Sequence, residues 1–542
     1  MKKAVIVQLA SQYIHSSLGG WAAAQEAINQ GIPVNVLDFH INQPISQLVE
    51  KIVETKPDWL AFSCYIWNIE ISLKLATSIK ALFPKCIIVF GGPEMQKRER
   101  YLMENYPIID VIVTGPGEII VAQLLKETPY EQINGIHFRK NGEICANPPK
   151  LTKGSFPSPY SDEYFKALNG RISYIETTRG CPFSCAFCMS GARERMNILS
   201  IEESIERIEI LSKSESRTIK FVDRTFNAPK SHSRAIWKYL IDQYSRFSDK
   251  RFHFEIGADL LDDEDFSILK KAPKNYFQVE AGIQSFHEET LEACNRKTDM
   301  TILTKNLKRL IALDNIPVHI DLIAGLPYED FNTFLDSFDK AFELNSDMLQ
   351  LGFLKLLHGC QLATQKERYG YVETTYPPYE VMENKFITFD ELKILKGIEA
   401  IHETLCTHGR YKNALEYLLN TTKLPASQLF LAIEKSCREI FMARISHSDF
   451  IERIINEFPI RLNVPKMGLR DNLLLDELLH TSQGALPKAL HVNDDRLQQF
   501  KRVAEEKYPK QKLRVGILYE KSCYVTVRYV ENKTVETEYT SL

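Results

Sequence analysis

Short apolar runs that alternate with amphipathic stretches constrain this chain more than any other feature. "KAVIVQLA" (3–10) precedes "GGWAAAQEAINQG" (19–31), which reads as a helix closed by Gly31. "PVNVLDF", "DWLAFSCY", "KCIIVFGG" and "DVIVTGPGE" continue the alternation to about residue 125. Strands that are apolar on both faces and separated by helices predict a doubly wound parallel sheet. A second series follows: "ISYIETTRG", "TIKFVDRTFN", "FHFEIGADLL", "YFQVEAGIQS", "PVHIDLIAGLP" and "MLQLGFLKLLHG". These six strand candidates between 172 and 358 predict an α/β partial (β/α)6 barrel with its site at the carboxyl ends of the strands. A stretch with β-turn character (133–150) and the proline-rich "KGSFPSPYSDEY" (153–164) form the connection between the two series. From about 370 the pattern becomes helix-rich, and "LRVGILYEK" with "CYVTVRYVE" predicts a small terminal β pair. The resulting division is a first sheet domain at 1–150, a linker at 151–170, the barrel at 171–365 and a helix-rich region at 366–542.

Bulk numbers exclude several functions. Against 67 Lys and Arg stand 70 Asp and Glu, a net charge of -3 that offers no footprint for nucleic acid or an anionic membrane. No apolar run reaches the roughly 18 residues that span a bilayer. The opening "MKKAVIVQLASQYIHSS" has a short apolar run and no small-residue cleavage site, so it reads as a buried strand and the expected location is the cytoplasm.

Eight of the eleven cysteines are scattered singly, as buried thiols tend to be. Cys181, Cys185 and Cys188 are gathered in "RGCPFSCAFCMS" beside Gly180, Pro182 and two phenylalanines. A tetrahedral zinc wants four ligands, usually as two pairs. A redox CxxC would use Cys185 and Cys188 and leave Cys181 unexplained. A four-iron cluster normally takes four thiolates, so three leave one iron open to an external ligand.

CxxxCxxC directly after a strand, with Phe187 before the last cysteine, resembles the signature of the radical S-adenosylmethionine (SAM) enzymes. The resemblance implies a [4Fe-4S] cluster on Cys181, Cys185 and Cys188, with its open iron chelated by SAM. Reductive cleavage of SAM then yields a 5'-deoxyadenosyl radical that abstracts hydrogen. It also implies SAM contacts at later strand ends. Family members bind the methionine amino group near a GGE-like motif, where this chain has "FVDRTFN"; Asp223, Arg224 and Asn227 take that place. "VEAGIQS" resembles the ribose-holding segment, with Glu280, Gln284 and Ser285 as candidates. "HIDLIAGLPYED" resembles the adenine-packing segment through Ile323, Gly325, Leu326 and Pro327. Each segment also fits an ordinary strand end.

The first sheet resembles the cobalamin-binding modules that precede such barrels, with "GGPE" and "GPGE" after successive strands. Ser63, Tyr65, Trp67, Gly91, Gly92, Gly115 and Gly117 are the corrinoid contact candidates, although Trp67 fits the core equally well. No DxHxxG motif is present, so His15 and His40 are read as surface or structural histidines and the corrinoid as base-off. The whole architecture resembles a branch of cobalamin-dependent radical SAM proteins that carry a C-terminal domain of unknown function. That branch is similar to the anaerobic magnesium-protoporphyrin IX monomethyl ester cyclase.

The leading expectation is methylation of an unactivated carbon, with electrons from a donor such as flavodoxin or ferredoxin. Radical cyclisation or oxidation without methyl transfer is the alternative among enzymes. Methylthiotransferases carry three further cysteines in another N-terminal module, which Cys64 and Cys86 do not supply. From another class, a cobalamin or iron-sulfur sensor remains, though sensing needs no vacant iron. The C-terminal region holds no catalytic motif and is read as closing the barrel mouth or recognising substrate.

Overall fold

The computed structural model describes residues 3–149, 156–190, 196–480, 482–492, 494–530 and 533–542, with backbone alone at 408 and 533–535. Residues 151–155 of the expected linker lie outside the described residues.

The first sheet contains β1 (Ala4–Ala10), β2 (Val34–His40), β3 (Trp59–Ser63), β4 (Ile87–Gly91) and β5 (Val111–Val113). β6 (Ile136–Lys140) and β7 (Glu143–Asn147) complete it in the order β2-β1-β3-β4-β5-β6-β7. β1 to β5 are parallel, and alternate residues of β1 serve two cores. Val5, Val7 and Leu9 face one, and Ala4 and Ile6 face the other. This two-sided burial is why the strands read as continuous apolar runs. The stretch read as part of the connection instead forms an antiparallel hairpin on the sheet edge. "KNG" turns that hairpin, with Asn141 and Gly142 both at positive φ.

The central sheet runs β8 (Ser173–Ile175), β11 (Thr218–Phe221), β12 (Arg251–Glu255), β13 (Phe277–Gln284), β14 (Val318–Ala324) and β15 (Met348–Phe353), all parallel and in sequence order. Alternate residues of β13 and β14 are buried and half-buried, so one face of the sheet is packed and the other is the more open face expected of a barrel lumen. The outer face is core: Phe221, Phe252, Phe254 and Phe277 are all at most 1% exposed. Between β8 and β11 lie two short strands, β9 (Thr178–Arg179) and β10 (Asn197–Ile198), which pair antiparallel. They form the stem of the loop that carries the three cysteines.

Residues from 366 onward share one continuous core with the barrel. Phe338 on a barrel helix meets Phe430 on the helix Ala426–Met442 with ring centroids 5.6 Å apart. A short hairpin of β16 (Val372–Glu373) and β17 (Val381–Glu383) extends from the last barrel strand, where Val381 N–H donates to the Leu354 carbonyl at 2.9 Å. Helices follow, and the chain ends in an antiparallel sheet of β18 (Lys512–Leu518), β19 (Cys523–Val530) and β20 (Lys533–Ser541). The expected pair is therefore a three-stranded sheet. The third strand, "KTVETEYTS", is too polar to stand out as a buried run.

Candidate active site between the sheet and the barrel

A cavity of about 830 Å³ lies between the carboxyl ends of the first sheet and the barrel mouth. Its walls include Ala10, Tyr65 and Trp67 from the sheet, Glu176 and Arg224 from the barrel, and Cys188 from the cysteine loop. The volume falls in the range of built small-molecule sites.

Gly180 at φ +90 turns the chain out of β9 into the cysteine loop. Cys185 is buried, while Cys181 and Cys188 are half-buried. Each sulfur has one polar neighbour. The Thr225 hydroxyl stands 3.4 Å from Cys181 Sγ, Arg296 Nη1 donates to Cys185 Sγ at 3.7 Å, and Ser190 N–H donates to Cys188 Sγ at 3.3 Å. The Arg296 and Ser190 donors support thiolate ligands and leave lone pairs for metal, so the donor set fits a three-thiolate cluster. Burial pushes the Cys185 thiol up, and the Arg296 charge opposes that shift. The loop is seated from both sides, since Ala186 N–H donates to the Cys294 carbonyl at 2.8 Å and Leu362 N–H to the Ala186 carbonyl at 2.9 Å.

"FVDRTFN" is placed differently from the expectation. Asp223 is 0% exposed, and its carboxylate is occupied. Oδ1 accepts from the amides of Thr177 and Thr178 at 2.9 and 2.5 Å, and Oδ2 accepts from the Thr177 hydroxyl at 2.7 Å. The residue holds the turn between β8 and β9 and does not face the cavity. Burial pushes its pKa up to about 7 against the pull of those donors. Asn227 is also used internally, exchanging two 2.9 Å hydrogen bonds with the Gly257 backbone. Arg224 is the member of the segment that is exposed and lines the cavity.

At the ribose-like segment, Glu280 faces the lumen, 3.2 Å from His253 Nε2, and the histidine holds its carboxyl below the usual range. Asp321 lies on the adjoining strand, and its pKa is pushed up to about 7 by burial and then by Glu280 and Glu255. Gln284 ends β13 at φ +74, a left-handed conformation uncommon for glutamine and of the kind found at ligand sites. Ser285 is fully buried, and its hydroxyl donates to Glu329 Oε1 at 2.5 Å. Of the four adenine-like candidates Ile323 is half-buried; Gly325, Leu326 and Pro327 are buried, and Leu326 belongs to the barrel core.

In the first sheet Trp67 is 41% exposed, which sets aside the core reading. It stacks on Tyr65 at 4.5 Å with an interplanar angle of 8°, and its Nε1–H donates to the Leu9 carbonyl at 2.9 Å. Ser63 ends β3, and its carbonyl accepts from Asn68, a buried strap the sequence reading missed. Gly92 serves chain packing, because at φ +106 a Cβ there would stand 2.5 Å from the Cys64 carbonyl. Gly91 ends β4, Gly115 lies in the turn after β5 and Gly117 opens the next helix, and a Cβ at each would make only ordinary contacts of 3.4–3.9 Å. His15 lines the cavity, with Nδ1 2.6 Å from the Tyr174 hydroxyl. His40 lies edge-on to Tyr13, with ring centroids 5.9 Å apart.

Glu94 and Glu118 were also missed, although "GGPE" and "GPGE" contain them. Both are 6% exposed and line the cavity. Glu118 pairs with Arg179 at 2.6 Å, and Glu94 pairs with Arg98 and accepts from the Tyr379 hydroxyl.

Residues 4–125 match the B12 binding domain family, residues 175–341 the Radical SAM superfamily, and residues 367–538 a domain of unknown function, DUF4080. The cobalamin-dependent radical SAM methyltransferase TokK of Streptomyces tokunonensis is 27% identical over 381 residues, 66% of this chain and 55% of that protein. A 2-(S-pantetheinyl)-carbapenam-3-carboxylate methyltransferase of Streptantibioticus cattleyicolor is 26% identical over 347 residues, 60% of this chain and 50% of that protein. The anaerobic magnesium-protoporphyrin IX monomethyl ester cyclase of Cereibacter sphaeroides is 23% identical over 323 residues, 56% and 52% of the two chains. The chain thus spans about half the length of these curated relatives. The fold is similar to that of OxsB, solved with aqua-cobalamin and SAM, at TM-score 0.62 and 15% identity over 94% of this chain and 81% of that one. It is also similar to TsrM of Kitasatospora setae, solved with cobalamin and a [4Fe-4S] cluster, at TM-score 0.57 and 17% identity over 69% and 76%. Among the described residues no helix is long and apolar enough to cross a membrane. The chain therefore joins a B12 binding domain, a radical SAM domain and DUF4080, and is homologous to the cobalamin-dependent radical SAM methyltransferases.

Proposed function

We propose that this protein is a cobalamin-dependent radical SAM methyltransferase acting on an unactivated carbon. Cys181, Cys185 and Cys188 would hold a [4Fe-4S] cluster, and the cavity would hold SAM and cobalamin. The observation that carries the reading is that Cys188 and the strand-end residues Ala10, Tyr65 and Trp67 of the B12 binding domain line one cavity. When bound, these groups supply a hydrogen-abstracting radical and a transferable methyl group.

The chain's own residues bind, orient and exclude water. The short cysteine loop is tied at its stem by β9 and β10 and seated on Cys294 and Leu362, which fixes its direction toward the cavity. Phe187, Trp67 and Leu357 give the cavity apolar wall, where stray solvent would otherwise quench reactive species. Glu280, held beside His253 in the lumen, presents a carboxyl group to a polar part of cofactor or substrate. The Arg224 guanidinium is available to a carboxylate. An electron donor such as flavodoxin or ferredoxin is proposed to deliver the reducing electron, and the cytoplasm is the proposed location.

The test uses full-length protein reconstituted anaerobically with iron, sulfide and hydroxocobalamin, then given SAM labelled in its methyl group and a reductant. Label transferred to the corrinoid together with 5'-deoxyadenosine supports the reading. 5'-Deoxyadenosine without corrinoid methylation would overturn the methyltransferase assignment.

A further inference from the structure

Arg179 occupies a junction that the cofactor chemistry alone does not explain. It ends β9, pairs across the stem with Asn197, and precedes Cys181 by two residues. Its guanidinium works in three directions. Nη2 meets Glu118 Oε1 at 2.6 Å, Nε meets Glu176 Oε2 at 2.8 Å, and the carbon of the group lies 4.0 Å from the Phe156 ring centroid. Glu118 lies in the first turn of the helix after β5 in the B12 binding domain, Glu176 follows β8 of the barrel, and Phe156 belongs to the connection between them. One side chain thus ties all three segments at the base of the cysteine loop.

The pair is built to hold position. The side chains of Glu118 and Arg179 are 8% and 21% exposed, so solvent screening is weak and a lost partner strands a charge. Arginine's planar fork can satisfy two carboxylates in fixed directions at once, which a lysine cannot reproduce. Because Arg179 sits on the stem, any rotation of the cysteine loop against the first sheet must break or bend the 2.6 Å contact.

We propose that Glu118 and Arg179 are positioning residues that hold the cluster loop in register with the cobalamin-binding domain, and so set the separation of the two cofactors. The proposal rests on the function proposed above. Both side chains also line the cavity, and the role proposed for them is exerted through the loop.

The experiment measures the cobalt-to-cluster distance by pulsed electron paramagnetic resonance in full-length protein loaded with cluster and cob(II)alamin. Wild type is compared with Glu118→Gln and Arg179→Lys. The expected result is full iron and corrinoid content in both variants, with a distance distribution about twofold broader in each. Both cofactors retained with an unchanged distribution in both variants would overturn the proposal. Wild type failing to take up either cofactor would instead overturn the functional reading. Hydrogen exchange on the cofactor-free chain then tests the pair alone. Glu118→Gln should speed exchange at Cys185–Ser190 by about tenfold while Trp59–Ser63 stays unchanged, and equal rates in the two proteins would overturn the pairing role.

Discussion

The Tyr379 hydroxyl donates to Glu94 Oε1 at 2.6 Å and so joins the C-terminal region to the B12 binding domain across 285 residues of sequence. Arg98 pairs with the same carboxylate oxygen and also donates to the tyrosine at 2.6 Å. Burial raises the Glu94 pKa, with Tyr379 and then Arg98 acting against it. Nearby, at the end of the barrel, a Cβ on Gly359 would stand 2.9 Å from Gln96 Oε1 and 3.1 Å from the tip of Met189 in the cysteine loop. The C-terminal region therefore touches the B12 binding domain through the Glu94 carboxylate and shares a core with the barrel. Tyr379→Phe removes one donor from a buried carboxylate while keeping the ring that meets His358 at 4.5 Å. It should destabilise the protein by about 1–2 kcal/mol, read as a lower melting temperature. An unchanged melting curve would show that the hydroxyl bond contributes nothing.

Asp223 makes a pH-dependent prediction. Its folded pKa of about 7 lies above the 3.8 of an ordinary aspartate, so the folded state holds the proton more tightly. Its contribution is full below about pH 4, is lost as pH rises toward 7, and is level above. Asp223→Asn keeps an acceptor for the two threonine amides and carries no charge. The stability gap between wild type and this variant should therefore move in the variant's favour between about pH 4 and 7. Parallel melting profiles across that window would contradict this. Asp223→Ala should cost about 2–4 kcal/mol, because it strands three donors in the interior.

In the barrel lumen, Glu280 and Asp321 titrate against each other. Burial is the larger cause of the raised Asp321 pKa and the Glu280 charge the next. Glu280→Gln should lower the Asp321 pKa without restoring it to an ordinary value. Infrared spectra of protein labelled with carbon-13 aspartate would follow that carboxyl. No movement of the Asp321 titration would mean that the two carboxylates do not interact.

His15 tests the base-off expectation. Its Nδ1 is held by Tyr174, and the residue bridges to Ile172, so it has an interdomain bond of its own. His15→Ala should leave the visible spectrum of the bound corrinoid unchanged. Loss of a histidine-ligated spectrum in the variant would identify His15 as a cobalt ligand.

The strand series was legible because burial on both faces forces continuous apolar runs, as in Val5 to Leu9. β20 was hidden because Glu536, Glu538 and Thr540 interrupt any apolar run in its sequence. The cysteine loop was legible because its ligands lie close together in the chain. Contacts that depend on folding were not. The pairs Glu118–Arg179 and Glu94–Tyr379 span 61 and 285 residues, so attention fell on the neighbouring glycines. Asp223 was expected at the barrel mouth because the strand was extended through it. The strand ends at Phe221, and the chain then turns the carboxylate back onto Thr177 and Thr178.

The most direct measurement is 5'-deoxyadenosine formation on reduction of anaerobically reconstituted protein in the presence of SAM. Wild type should form it with one four-iron cluster per chain. The variant with Cys181, Cys185 and Cys188 all replaced by alanine should keep its circular dichroism spectrum but lose both cluster and product. Full iron content and undiminished 5'-deoxyadenosine in the triple variant would contradict the assignment of these three cysteines.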